Sequence, residues 1–173
     1  MEQRIYRIRK TFLVPLGLVV VLALILLISC LLLRLPLVKI LILAAFLVPA
    51  TVLFAESSLR RVSLEEDGIL VKKLFRSKRL RYGDLTSIDT VMVRRRAFVS
   101  LSSEEDFLIL SNSYDHFGAL LSQLLEKAPE KIVSSETRQL AEKPPVKNGD
   151  IFSAWLAVIV LILILYVQLR GAF

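Results

Sequence analysis

The residue types that perform most protein chemistry are scarce in this chain and poorly spaced for it. His116 is the single histidine and Cys30 the single cysteine, far apart in sequence. A structural zinc takes about four Cys or His ligands, and a thiol–imidazole pair needs both groups within hydrogen-bond reach. Neither a metal centre nor a nucleophilic dyad is therefore expected. One cysteine also rules out a disulfide within the chain, and there is no CxxC pair. The carboxylates cluster as two runs, Glu65-Glu66-Asp67 and Glu104-Glu105-Asp106. Catalytic acid–base pairs must converge on a cleft, whereas neighbours within a turn face solvent, so both runs read as turn residues. No P-loop, GxGxxG or GxSxG sequence occurs. The residues predict neither an enzyme nor a bound cofactor.

The basic residues are more informative. Lys72, Lys73, Arg76, Lys78, Arg79 and Arg81 fall within ten positions, and Arg94-Arg95-Arg96 follow. From Arg60 to Arg96 there are eleven basic and five acidic residues, and from Ala97 to Asp150 five basic and nine acidic. Each Lys or Arg close to an anionic leaflet contributes about 1 kcal/mol, decaying over a Debye length of roughly 8 Å. These nine side chains are the expected contacts to a membrane surface or to lipid headgroups. A defined headgroup pocket is one reading. The other is the general excess of positive charge on the cytoplasmic side. Adjacent Lys72 and Lys73 point to opposite faces of a strand, so they do not both line one pocket. Phe75 is the single aromatic residue among the cations from Lys72 to Arg81, too little interleaving to suggest nucleic acid as a partner.

The elements that must position these residues are dominated by three apolar stretches, Thr11 to Leu33, Ile40 to Ala55 and Ile151 to Leu169. A helix crosses the hydrocarbon core with about 20 residues. The first and third meet that length unaided. The second needs Leu37, Val38 and Ser57 to Leu59 to extend it, with Lys39 and Arg60 snorkelling to the interface, and is the weakest of the three. The expected spans are 11–33, 38–58 and 151–170, the first two forming a hairpin through Arg34-Leu-Pro-Leu-Val-Lys39.

Arg4, Arg7, Arg9 and Lys10 before the first stretch resemble the start of a signal peptide, and Leu27-Ile-Ser-Cys30 matches the pattern of a lipoprotein cleavage site. The apolar run continues past Cys30, which favours an uncleaved anchor. Short basic loops stay in the cytoplasm. Residues 1–10 and the domain after the second span are the basic-rich regions, so both are expected inside a bacterial plasma membrane, with the C-terminus outside. Ala44, Ala45, Ala50 and Thr51 on the second span, with Ala154 and Ala157 on the third, are candidate close-packing faces. No ionisable residue lies at mid-span, which argues against an ion pathway.

Between the spans, residues 60–128 show strand periodicity and then a helix. Asp67-Gly68 between apolar-alternating runs signals a hairpin with a type I′ turn. Phe117, Leu120, Leu121, Leu124 and Leu125 then mark one face of a helix, with Asp115 near its N-cap and Pro129 beyond its end. The fold class expected is an α+β membrane protein, its soluble domain built of about six antiparallel strands capped by one C-terminal helix. Residues 129–150 read as a polar tether with a possible short helix from Ser134 to Glu142.

Three segments, Leu64-Glu-Glu-Asp-Gly-Ile-Leu-Val71, Leu80-Arg-Tyr-Gly-Asp-Leu-Thr-Ser-Ile88 and Phe107-Leu-Ile-Leu-Ser-Asn112, carry a resemblance to the bacterial pleckstrin-homology-like (bPH) domain. That resemblance covers roughly 70 residues and implies a fold without shared catalytic residues. The resulting expectation is a non-enzymatic scaffolding or lipid-binding module, with anionic lipids and other membrane proteins or further copies of the chain as partners. The alternatives are an accessory or regulatory subunit of a membrane enzyme or transporter, bound through its spans, and a lipoprotein with a periplasmic domain.

Overall fold

The computed structural model describes residues 5–93, 96–145 and 149–171. Among them the chain is α+β, with two antiparallel sheets and five α-helices. It divides into two compact units, one comprising Met1–Arg9 with Leu59–Lys147, the other Lys10–Ser58 with Asn148–Phe173.

The first unit holds both sheets. One runs β1-β2-β3-β4, formed by Ile5–Arg7, Arg61–Leu64, Gly68–Lys72 and Ser77–Arg81. The other runs β5-β6-β7, formed by Leu85–Val93, Arg96–Ser103 and Phe107–Ser111. Seven strands replace the expected six or so. The addition is β1, which lies in the segment expected to be a basic tail. It pairs Ile5 with Ser63, Tyr6 with Val62 and Arg7 with Arg61. Three residues are too few to display a period of two, and their flanking arginines hide the signal. Tyr6 is nonetheless buried, and its hydroxyl donates to Gln123 Oε1 at 2.8 Å. The apolar helices α1 and α2 are therefore inserted between the first two strands of this unit.

Three tight turns are closed by backbone bonds, from Glu65 N–H to Gly68 O, Lys73 N–H to Arg76 O and Ser103 N–H to Asp106 O. The Asp67-Gly68 hairpin forms where expected, but not through a type I′ turn, because neither residue has positive φ. Gly68 is needed for another reason. A Cβ there would clash with the Leu80 carbonyl oxygen across the β3–β4 pair.

Val62, Ile69, Ile88, Val99, Leu101 and Leu110 of the strands are fully buried, as is the face of helix α3, Phe117–Lys127, formed by Phe117, Leu120, Leu121 and Leu124. Burial of each such side chain contributes about 1.5–3 kcal/mol, which is the main support of the unit. The N-cap of α3 is His116 in the left-handed region, one residue beyond Asp115, whose carboxylate accepts from the His116 amide.

Residues after α3 are not a free tether. Val133 bridges Ile88, and the Ser134 amide donates to the Ile88 carbonyl. Helix α4, Ser135–Glu142, is capped by Ser134 and buries Thr137 and Leu140. The polar composition concealed this, because two inward residues among many polar ones make a weak pattern.

The second unit comprises α1, Lys10–Leu32, α2, Leu37–Leu59, and α5, Gly149–Arg170. All three are long and apolar enough to cross a membrane. The second stretch, read from sequence as the weakest, forms a helix of 23 residues, the same length as α1. The connector turns at Arg34 (φ 52°), with Leu35 N–H bonded back to Cys30 O, the geometry of a Schellman stop. Helix α1 packs against α5, and Ala23, Leu26 and Val158 on these two helices are buried. Near the C-terminal ends of both, Gln168 Nε2 donates to Ser29 Oγ at 2.8 Å, so α1 and α5 run parallel. Helix α2 meets α1 where the Phe54 ring lies over Gly17, 3.1 Å from where a Cβ would be.

Candidate binding interface

The antiparallel register of the first unit defines two ends, and its charged residues divide between them. In the four-stranded sheet, Arg7, Arg61, Lys72 and Ser77 stand side by side at one end. The segment after β7 runs alongside β1, with the Arg9 amide donating to Ser113 O, Ile8 bridging Tyr114 and the Asp115 amide donating to Arg7 O. This aligns the end of β7 with the same edge. There Asn112 donates from its backbone to Ala97 O and from Nδ2 to Pro145 O. The β5–β6 hairpin turns beside it, where Val93 pairs with Arg96. Arg9, Arg61 and Pro145 are each within a few residues of α1, α2 and α5 in sequence. The described residues nearest in sequence to the three apolar helices thus lie at a single end of the β unit.

That end is basic. Lys72, Lys73 and Arg76 are exposed around the β3–β4 turn, and Arg96 is exposed at the β5–β6 turn. Arg94 and Arg95 lie outside the described residues. The opposite end is acidic, formed by the Glu65–Asp67 turn, Asp84 and the Glu104–Asp106 turn. The remaining basic residues of the sequence cluster belong with these carboxylates. Lys78 pairs with Asp106 at 2.7 Å, while Arg79 pairs with Glu65 and with Asp67 at 3.0 Å. Arg81 sits across from Gly68, beside the same turn. Sequence proximity had joined nine cations into one patch. Strand position separates Arg79 and Arg81 from the turn cations, each residue moving about 3.3 Å along the strand, whereas Lys78, next to Ser77, is drawn away by its pairing with Asp106.

Beside the acidic turns lies Tyr82, in a 3-10 turn over Tyr82–Asp84. Its hydroxyl is buried with no hydrogen-bond partner among the described residues. Burial first, then the negative charges of Asp67 and Glu65, pushes the phenol pKa up to about 12. Lys127 Nζ stands 5.8 Å from the ring centre and donates to the Glu65 carbonyl.

In the second unit, Ala154 and Ala157 lie on the stripe of α5 that includes buried Val158, partly covered. On α2, Ala45 and Thr51 are exposed, Ala44 and Ala50 are half-covered, and the Thr51 hydroxyl bonds to Leu47 O of its own helix. A groove of about 730 Å³ runs between Leu26, Ile42, Phe46 and Leu163, with Cys30, Lys39 and Gln168 at its walls. The Ser29–Gln168 pair escaped sequence reading because polar uncharged residues inside apolar runs look like ordinary small interruptions. Among the described residues no three His, Cys, Asp or Glu side chains converge as metal ligands. His116 is exposed beside Asp115.

Comparison with family models, with curated proteins and with solved structures finds no match to this chain.

Proposed function

We propose that the chain is a multi-pass protein of a bacterial plasma membrane whose β unit is a non-catalytic, bPH-like module seated on an anionic lipid surface. One coincidence carries this reading: the end holding the described residues nearest in sequence to all three apolar helices is also the end bearing Arg61, Lys72, Lys73 and Arg76. Carboxylates gather at the far end, so an anionic leaflet attracts one pole and repels the other. Cations near the leaflet act additively within a Debye length.

The bPH-like assignment is supported by a four-stranded and a three-stranded antiparallel sheet closed by one helix. In this reading, the pair of membrane helices is an insertion after the first strand. The cytoplasmic side follows from the basic character of both segments that flank the helix pair. The pairing of β1 with β2 supports a topology in which both flanks lie on one side and α1 and α2 cross as a pair. The same pairing argues against the lipoprotein reading, since cleavage before Cys30 would remove β1 from its sheet.

The test is hydrogen exchange on the full-length protein in nanodiscs, comparing phosphatidylcholine with a phosphatidylglycerol mixture. Anionic lipid is expected to slow exchange in the 72–77 segment, with the effect lost in high salt and in a Lys72→Glu, Lys73→Glu, Arg76→Glu variant. Equal exchange in the two lipids would defeat the proposal.

A further inference from the structure

The turn at the basic end has an unusual composition for its position. Residues at tight hairpin turns are ordinarily Gly, Asn, Asp, Pro or Ser. Here the central pair is Leu74-Phe75, between Lys73 and Arg76. Phe75 is 87% exposed, the most exposed large apolar side chain among the described residues. Phe107, also exposed, lies at the other end, and Lys78 Nζ stands over its ring at 5.0 Å. The β5–β6 arm repeats the pattern at the same end. Val91, Met92 and Val93 are 54–56% exposed although successive strand residues face opposite ways, so the arm extends past the core on both faces. It too ends beside a cation, Arg96.

We infer that Phe75 is a membrane wedge, entering the boundary between headgroups and acyl chains while Lys72, Lys73 and Arg76 hold the phosphates around it, with the Met92 arm as a second point of entry. This rests on the lipid-facing orientation proposed above and adds depth to it. Charge alone holds a domain at the surface. An exposed aromatic ringed by cations is the composition that settles partway into the interface. The occupant is the bilayer itself. It is selected by the closeness in sequence of all three apolar helices to this end and by charge complementarity with anionic lipid.

The experiment uses full-length protein in phosphatidylglycerol-containing nanodiscs. Trp155 is the only tryptophan, so a Trp155→Phe, Phe75→Trp chain carries one reporter at the turn. Lipids brominated high on the acyl chain are expected to reduce its emission roughly twofold, with a blue shift and protection from aqueous acrylamide, as for a ring buried about 5–10 Å into the boundary. Emission unaffected by brominated lipid and quenched by acrylamide would overturn the wedge. So would protection from both quenchers, which would put the ring in a protein pocket. The seating proposed above is read separately by hydrogen exchange in the 72–77 segment. Lipid-dependent exchange without bromine quenching leaves a surface-held domain and no wedge. Bromine quenching without charge-dependent exchange supports the wedge while removing the electrostatic seat. Phe75→Ser, which removes only an exposed side chain, is expected to keep the thermal midpoint in detergent and to increase exchange in the turn.

Discussion

Tyr82 shows how a buried polar group can be held by its surroundings without a hydrogen bond. Its phenol is kept neutral by burial and by the carboxylates of Asp67 and Glu65, which raise its pKa from 10.0 to about 12. The folded state therefore binds the phenolic proton more tightly than the unfolded chain does. Its contribution to stability is complete below pH 10 and is lost as pH rises through about 12. Tyr82→Phe removes this ionisation and retains the ring under Lys127. At neutral pH the variant is expected to be neutral or more stable by up to about 1 kcal/mol, because it deletes a buried hydroxyl without a partner. Thermal melts of both proteins across the alkaline range check the sign. The midpoint of the wild type should fall relative to that of the variant between pH 10 and 12.

At the scale of the element, β1 has the largest consequence for its size. Tyr6→Ala removes a buried ring and its bond to Gln123, and is expected to destabilise the β unit by about 3 kcal/mol. Ile5→Ala, on the exposed face of the same strand, should cost under about 1 kcal/mol. Chemical denaturation monitored by near-ultraviolet dichroism separates the two. The elements with sustained periodicity were legible from sequence: the three apolar helices, the leucine face of α3 and most strands from Arg61 to Ser111. β1 was not, because a three-residue strand has no period, and its pairing depends on a partner more than fifty residues away. Helix α4 was half-legible. Its Ser134 cap and extent could be read, but the hold of Thr137 on Ile88 and Thr90 is tertiary and has no sequence signature. Among the candidate site residues, the excess of cations was visible in the sequence. Their division between two ends required strand register, and no local pattern encodes that.

For the whole molecule, the β unit is discontinuous in sequence and closed in space. Arg7 and Arg61 are paired neighbours, so their Cα atoms lie about 5 Å apart. A chain in which a short Gly-Ser linker joins Arg9 to Arg60, ending at Pro145, is expected to fold as a soluble unit with cooperative thermal unfolding. Residues 60–145 alone lack β1 and should unfold with a lower midpoint or without cooperativity. Equal midpoints for the two chains would mean that β1 is dispensable. The comparison also shows whether the basic and acidic ends persist without the apolar helices, since both arise from registers internal to this unit.

The insertion of two long apolar helices between β1 and β2 also imposes an order on synthesis. β1 leaves the ribosome before the helix pair, and its partner strand follows only after the whole of α1 and α2 has emerged. On the proposed membrane reading, a hairpin of that hydrophobicity meets the insertion machinery before β2 emerges, and β1 waits unpaired until α2 is complete. If the hairpin inserts, Arg61 is delivered beside Arg7 and the sheet closes. If it does not, β2 emerges with a bare edge and its arriving strand tied to a stranded helix, the kind of exposed edge that proteases and chaperones recognise. On the same reading, folding of the β unit becomes a check that the hairpin was inserted with both ends on one side.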